Sequence, residues 1–199
     1  MYRRGLKRML DIVIVLLSAP LVIVVCLVVA CLIRARMGSP VFFRHRRPGL
    51  HERRFWMVKF RTMPLETEQD GRVLRESEWI TRLGGLLRKT SLDELPQLWN
   101  VLCGDMSLVG PRPLLEEYLP CYTAEERKRH LVRPGITGWA QVNGRNYLPA
   151  DERLASDVWY VEHLSWDLDL RIALKTVQNV LRCKDVQISP RMPCKISSE

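Results

Sequence analysis

The chain has 199 residues, room for one domain plus an appendage, and 47% of them are apolar. Its 31 Lys and Arg against 22 Asp and Glu leave a formal charge of +9, a balance that suits nucleic acid, anionic lipid or phosphorylated substrates. The six cysteines form no CxxC pair and the four histidines are scattered; this argues against a zinc site and a disulfide framework and points to a reducing compartment.

Residues 12–33 are almost purely apolar. As helix they reach about 33 Å at ~1.5 Å per residue, against a bilayer core about 30 Å thick. A cleaved signal peptide fits the basic start (Arg3, Arg4, Lys7, Arg8), and Val28-Val29-Ala30-Cys31 resembles a lipoprotein cleavage site. The apolar run exceeds the usual ~7–15 residues, however, and the basic flank after it (Arg34, Arg36, Arg44, Arg46, Arg47) resists export. A simple spanning helix conflicts with the same charges, because Lys and Arg mark the cytoplasmic side and here mark both ends. A helix that enters, breaks and returns removes the conflict. Pro20 removes one helical hydrogen bond and crowds the carbonyl of Leu16, and Ser18 is placed to satisfy a freed backbone group. The doubled basic flank favours this re-entrant reading over a kinked span.

Residues 41–43 and 55–60 read as short strands, pairing as a hairpin around Arg47-Pro48-Gly49. Lys59, inside the second run, reads on pattern alone as solvent-facing. Residues 63–90 are polar and mixed in charge, with a helical patch at Leu83, Leu86 and Leu87.

The segment TSLDELPQLWNVLCGDMSLVGPRP, residues 90–113, sets two adjacent carboxylates, Asp93 and Glu94, in a basic chain. The plain reading is a capping box from Ser91 to Glu94. A cap needs one carboxylate, though, and Pro96 is tolerated only where its missing N–H would be an orphan. A helix is therefore expected to start near Asp93 and run through Leu98, Trp99 and Leu102 to Gly104. That puts the acids at a helix N-terminus, a place suited to phosphate. Gly110-Pro111-Arg112-Pro113 reads either as a stiff loop presenting a guanidinium to phosphate or as a rigid surface turn with an incidental Arg.

Residues 114–130 read as an amphipathic helix. Residues 136–147 (ITGWAQVNGRNY) crowd Gln141, Asn143, Arg145 and Asn146 around an Asn143-Gly144 turn of the hairpin type, either a loop that binds a nucleotide or sugar or a polar hairpin. Residues 151–182 read as helix, with Leu170, Leu174, Val177 and Leu181 at helical spacing. Trp159, Tyr160 and Trp166 suit a membrane interface or a core, and Asp167 and Asp169 a solvated helix start. The tail after Lys184 is expected to fray.

SLDELPQLWNVLCGDMSLVGPRP, RPGITGWAQVNGRN, the RRPGL…VKFRTM run and the basic-flanked apolar N-terminus resemble the monotopic phosphoglycosyl transferases, or bacterial sugar transferases, from Met1 to about Arg182. The resemblance implies a mainly α fold with a small β-hairpin. It has a re-entrant membrane helix over residues 1–36, broken near Ser18 and Pro20, a compact cytoplasmic catalytic domain with interfacial amphipathic helices over 37–184, and a tail over 185–199. The break differs from the family's usual adjacent Ser-Pro, since here Ala19 intervenes. The implied reaction moves a sugar 1-phosphate from a UDP-sugar to undecaprenyl phosphate and releases UMP, by ping-pong through a covalent intermediate. The expected donor is UDP-N,N′-diacetylbacillosamine or another UDP-N-acetylhexosamine, with UDP-galactose or UDP-glucose as the alternative.

By the same resemblance Asp93 is the nucleophile and Glu94 the Mg²⁺-linked acid. Lys59, Arg88, Arg112, Gln141, Asn143, Arg145 and Asp169 are expected around the substrate. The implied place is the cytoplasmic face of the bacterial inner membrane, against anionic lipid and upstream of further glycosyltransferases. A membrane-bound phosphohydrolase working through an aspartyl-phosphate would share Asp93 and Mg²⁺. A basic membrane protein that binds nucleic acid is a third reading, but no nucleic-acid motif is present and no such partner is expected.

Overall fold

A computed structural model describes residues 2, 5–64, 81–144 and 149–181, together with the backbone of 68–69 and 72–73. The described chain is mostly helical with small strand pairs, as expected. Helix α1 (Leu6–Met37) is long and apolar enough to cross a membrane. Helical backbone runs on both sides of Pro20, so the expected interruption does not divide the helix. The Ser18 hydroxyl donates to the Val15 carbonyl at 3.0 Å rather than to that of Leu16. Gly38, at φ 72°, ends the helix, and the Arg61 guanidinium covers its last carbonyls, donating to those of Met37, Gly38 and Ser39. A cation there suits the negative end of a helix.

Strands β1 (Phe42–Pro48) and β2 (Arg54–Phe60) pair antiparallel, with Phe42 opposite Phe60 and Pro48 opposite Arg54. The turn between them spans Gly49–Arg53, with His51 and Glu52 both at positive φ. On β2, Phe55 and Met57 point inward. Lys59, two residues further on, shares their face because side chains alternate along a strand. The solvent-facing reading of Lys59 is therefore wrong: it is only 17% exposed. Strands β3 (Glu68–Gln69) and β4 (Arg72–Val73) form a two-residue ladder.

Helix α2 (Arg82–Lys89) follows the predicted leucine patch and is capped by the Thr81 hydroxyl, which accepts from Gly84 N. The expected single helix from Asp93 is instead a 3₁₀ turn, Leu92–Glu94, followed by α3 (Gln97–Cys103). Pro96 sits at the N-cap of α3, and Gly104 closes it at φ 90°. Strands β5 (Ser107–Val109) and β6 (Gly135–Thr137) pair in parallel.

Four other expectations needed correction. The helix expected over 114–130 is two 3₁₀ segments, Glu116–Cys121 and Glu126–Leu131, and Pro120 lies inside the first, where it removes a donor a regular helix would use. Asn143-Gly144 makes no hairpin: Trp139–Asn143 is a short helix, α4, with Gly144 beyond its end. The helix expected over 151–182 is two, α5 (Ala150–Glu162) and α6 (Trp166–Leu181). A fourth concerns the cysteines: Cys26, Cys31 and Cys103 are free thiols, whereas Cys121 is disulfide-bonded, although no disulfide framework was expected. The expectations for Arg145 and the tail lie outside the described residues.

The core has three parts. Val109, Val132, Tyr160, Val161, Leu168 and Ile172 join α5 and α6 to the parallel strands. Val15 of α1 packs with Phe55, Met57, Val101 and Met106. Val29 and Ile33, from the other half of α1, pack with Phe60 and Leu87. Both halves of α1 thus dock on the same body. Between Val15 and Val29 no residue of α1 is buried, and Leu17 and Leu21 are 79% and 71% exposed.

Candidate active site

Asp93 and Glu94 lie on the 3₁₀ turn between α2 and α3. Ser91 enters that turn at φ 57°, and its side chain makes no capping bond. The capping-box reading therefore does not hold. Glu94 turns instead toward β2 and the Pro-Arg-Pro loop. Its Oε1 accepts from Lys59 Nζ at 2.6 Å and from Arg112 Nη2 at 2.8 Å. Arg88, from the last turn of α2, donates through Nε to Thr62 Oγ1 at 3.0 Å, and its charge acts on both carboxylates.

The two acids have opposite electrostatics. Burial, and then the charge of Glu94, push the Asp93 carboxyl up to about 6, against the pull of Lys59, Arg88 and Arg112. Burial alone would also raise Glu94, but the charges and hydrogen bonds of Arg112 and Lys59 outweigh it and hold that carboxyl down at about 2. Burial and the charge of Arg112 lower Lys59. Glu94 raises Arg112. One carboxylate is thus locked in its ionised form inside an ion-pair cluster. Its buried neighbour is pushed up to about 6, and pairs of acids with divided roles are set apart in this way.

Three of the expected residues therefore converge on the acid pair of Asp93 and Glu94: Lys59, Arg88 and Arg112. Three others do not touch it. Gln141 donates to the Ile136 carbonyl at 2.8 Å, and Asn143 accepts from Lys175 Nζ at 2.8 Å while donating to the Trp139 carbonyl. Their segment still abuts the Pro-Arg-Pro loop, because a Cβ on Gly138 would meet the Gly110 carbonyl oxygen at 2.2 Å. Asp169 is committed elsewhere: it accepts from Tyr160 Oη at 2.7 Å, from Tyr2 Oη at 2.6 Å and from Lys7. That makes it an anchor for the start of α1.

Sequence reasoning missed Asn100, which is buried on α3. Its Oδ1 accepts from Val58 N at 3.1 Å and its Nδ2 donates to the Trp56 carbonyl at 2.8 Å. The amide locks the helix that follows the dyad to the strand that carries Lys59. A lone Asn among the core residues of LWNVL was the available signal, since a buried amide needs partners.

Among the described residues no group of three or more His, Cys, Asp or Glu gathers as a metal site. The protein offers two adjacent carboxylates, one already charge-paired. That donor set fits Mg²⁺, an oxygen-seeking ion commonly held by one or two carboxylates plus substrate phosphates; it does not fit an all-protein cage.

A family model described as bacterial sugar transferase matches residues 2–183. The chain is 48% identical over 182 residues to the sugar transferase EpsL of Bacillus subtilis, covering 92% of this chain and 90% of that protein. It is 39% identical over 203 residues to the undecaprenyl-phosphate galactose phosphotransferase of Salmonella typhimurium, covering 90% and 41%. It is 38% identical over 184 residues to a UDP-N-acetylgalactosamine-undecaprenyl-phosphate N-acetylgalactosaminephosphotransferase of Aeromonas hydrophila, covering 88% and 44%. The chain thus spans less than half the length of the last two relatives. It belongs to the bacterial sugar transferase family and is a phosphoglycosyl transferase.

Proposed function

We propose that the chain transfers a sugar 1-phosphate from a UDP-sugar to undecaprenyl phosphate at the cytoplasmic face of the bacterial inner membrane. This is the first membrane step of a glycoconjugate, whose product further glycosyltransferases extend. The observation that carries the reading is the division of labour in the dyad: Glu94 tied to Lys59 and Arg112, Asp93 beside it with its carboxyl near 6.

An Asp93 carboxylate oxygen attacks the β-phosphorus, the bond to the bridging oxygen breaks, and UMP leaves with that electron pair. The phosphate oxygen of the lipid then attacks the same phosphorus and frees Asp93. A carboxylate approaching a diphosphate meets repulsion of about 4 kcal/mol per unit-charge pair at ~4 Å and an effective dielectric of ~20. Lys59, Arg88 and Arg112 offset it from fixed positions. Mg²⁺, held by Glu94 and the diphosphate oxygens, would supply further neutralisation of phosphate charge.

The re-entrant reading of α1 is supported by its docking. A straight helix of this length would measure about 48 Å. Yet Arg8 near one end bonds the Val101 and Leu102 carbonyls, Met37 at the other end accepts from Arg61, and the apolar middle is largely exposed, Leu17 and Leu21 most of all. Such an anchor holds the site at headgroup height, where the acceptor phosphate lies. Anionic lipid would meet the basic flanks. The relatives' names put UDP-galactose, UDP-glucose and UDP-N-acetylgalactosamine forward as donors to try first, beside UDP-N,N′-diacetylbacillosamine and other UDP-N-acetylhexosamines.

The test is a panel of UDP-sugars labelled in the sugar, with undecaprenyl phosphate in nanodiscs. Label should pass to the lipid phase with release of UMP, and Asp93→Asn should abolish UMP release. Label accumulating as water-soluble sugar phosphate with acceptor present would favour the phosphohydrolase and sink the transferase reading.

A further inference from the structure

The Pro-Arg-Pro loop that aims Arg112 is held at three points. Gly110 N donates to the Thr137 carbonyl at 2.8 Å and Gly135 N donates to the Pro111 carbonyl at 3.0 Å. Both bonds fasten the loop to β6 and the turn before it. The third bond is made by a side chain, Arg129 Nη2, which donates to the Arg112 carbonyl at 2.6 Å. The same nitrogen donates to Asp157 Oδ2 on α5 at 2.6 Å, and Nη1 donates to Tyr122 Oη at 3.2 Å. The Arg129 and Asp157 side chains are 2% and 3% exposed, whereas the Arg112 side chain is 42% exposed. The Arg112 side chain is thus only partly packed and its guanidinium meets Glu94 through one nitrogen, so its direction toward Glu94 depends on where its backbone is fixed.

We propose that Arg129, oriented by Asp157, is a positioning residue: it fixes the Arg112 carbonyl and so aims the Arg112 guanidinium at Glu94. A buried ion pair is weak evidence for stability, since apolar residues of similar volume often replace one without loss. What an apolar pair does not replace is the bond to Arg112. Lysine at 129 would keep the charge opposite Asp157, but its Nζ lies one bond nearer the main chain than Arg129 Nη2 and has no second nitrogen beside it, so it does not reach Asp157, Tyr122 and the Arg112 carbonyl together. The Arg129 Nε makes no hydrogen bond, so the hydrogen bonds this substitution disturbs are those of Nη1 and Nη2.

This inference rests on the dyad reading above, and the experiment separates the two. The full chain in detergent is mixed in a single turnover with the panel donor that wild type uses fastest, without lipid acceptor. UMP release gives a rate constant and an end-point amplitude. The expected result for Arg129→Lys, and for the charge-free Arg129→Met/Asp157→Leu pair, is full amplitude per folded protein with the rate constant down about 10–100-fold. Arg112→Lys should be slow too, and adding Arg129→Lys to it should change little further, because both act on one contact. A wild-type rate constant with reduced amplitude, or additive losses in the Arg112→Lys background, would overturn the proposal. UMP release by Asp93→Asn would instead overturn the dyad reading itself.

Discussion

Asp93 combines two conditions that oppose each other. It must be ionised to attack, yet burial and Glu94 hold its carboxyl up at about 6. The first half-reaction should therefore accelerate as the pH rises through about 6. The same shift makes the residue a stability liability. A carboxyl whose folded value lies above its unfolded one destabilises the fold once the pH exceeds both, and the penalty is absent below the unfolded value. Asp93→Asn should accordingly raise the unfolding free energy by on the order of 2 kcal/mol above pH 7, with the gain vanishing below about pH 4, measured by denaturant melts across pH. Glu94 runs the other way: its stability is present above the unfolded value and is lost as the pH falls toward about 2. The acid pair and Arg112 were legible in the sequence because two carboxylates in a basic chain, and an Arg between two prolines, are locally unusual. Lys59 was misread because alternation gives the two faces of a strand but not which face is covered. Asn100 left one signal, a polar residue inside an apolar run, whereas the bonds of Arg129 to Arg112 and Asp157 join separate segments and had none.

At the scale of elements, the turn that carries the dyad is shaped by backbone strain rather than by a cap. Ser91 stands at φ 57° without a side-chain capping bond. Ser91→Ala should therefore cost well under the ~1 kcal/mol that loss of a formed cap costs. Ser91→Gly should stabilise the fold, because glycine takes the left-handed conformation without penalty. Thermal melts of the two variants check both expectations, and a loss of about 1 kcal/mol or more in Ser91→Ala would restore the capping box. The strand pair, α2 and the glycine stop of α3 followed from local pattern. The breaks in the segments 114–130 and 151–182 did not. Pro120 marks the first, but His163–Ser165 carries no breaker, and the division into α5 and α6 follows from packing both helices on one core.

At the scale of the molecule, α1 unites anchor and site. Its first turns are fastened through Lys7 to Asp169, through Arg8 to the end of α3 and through Asp11 to Ser107 Oγ at 2.7 Å. Its last turn is fastened through Met37 to Arg61. Cysteine labels placed before Tyr2 and after Arg36, in a chain cleared of its native cysteines, should report the same side of the membrane in oriented vesicles. Opposite sides would mean a span, and would leave the docking of both ends on one domain without explanation. Length, apolarity and doubled charge made a membrane segment legible in the sequence. The contacts that fasten the two ends to the rest of the chain join residues up to 162 positions apart and left no local trace.

The most direct measurement is the mass of the Asp93-containing peptide after the enzyme has met a UDP-sugar with no lipid acceptor present. The account predicts an increase equal to one sugar phosphate on Asp93, discharged when undecaprenyl phosphate is added. An unmodified Asp93 in enzyme that still turns donor and acceptor into lipid-linked product would contradict it.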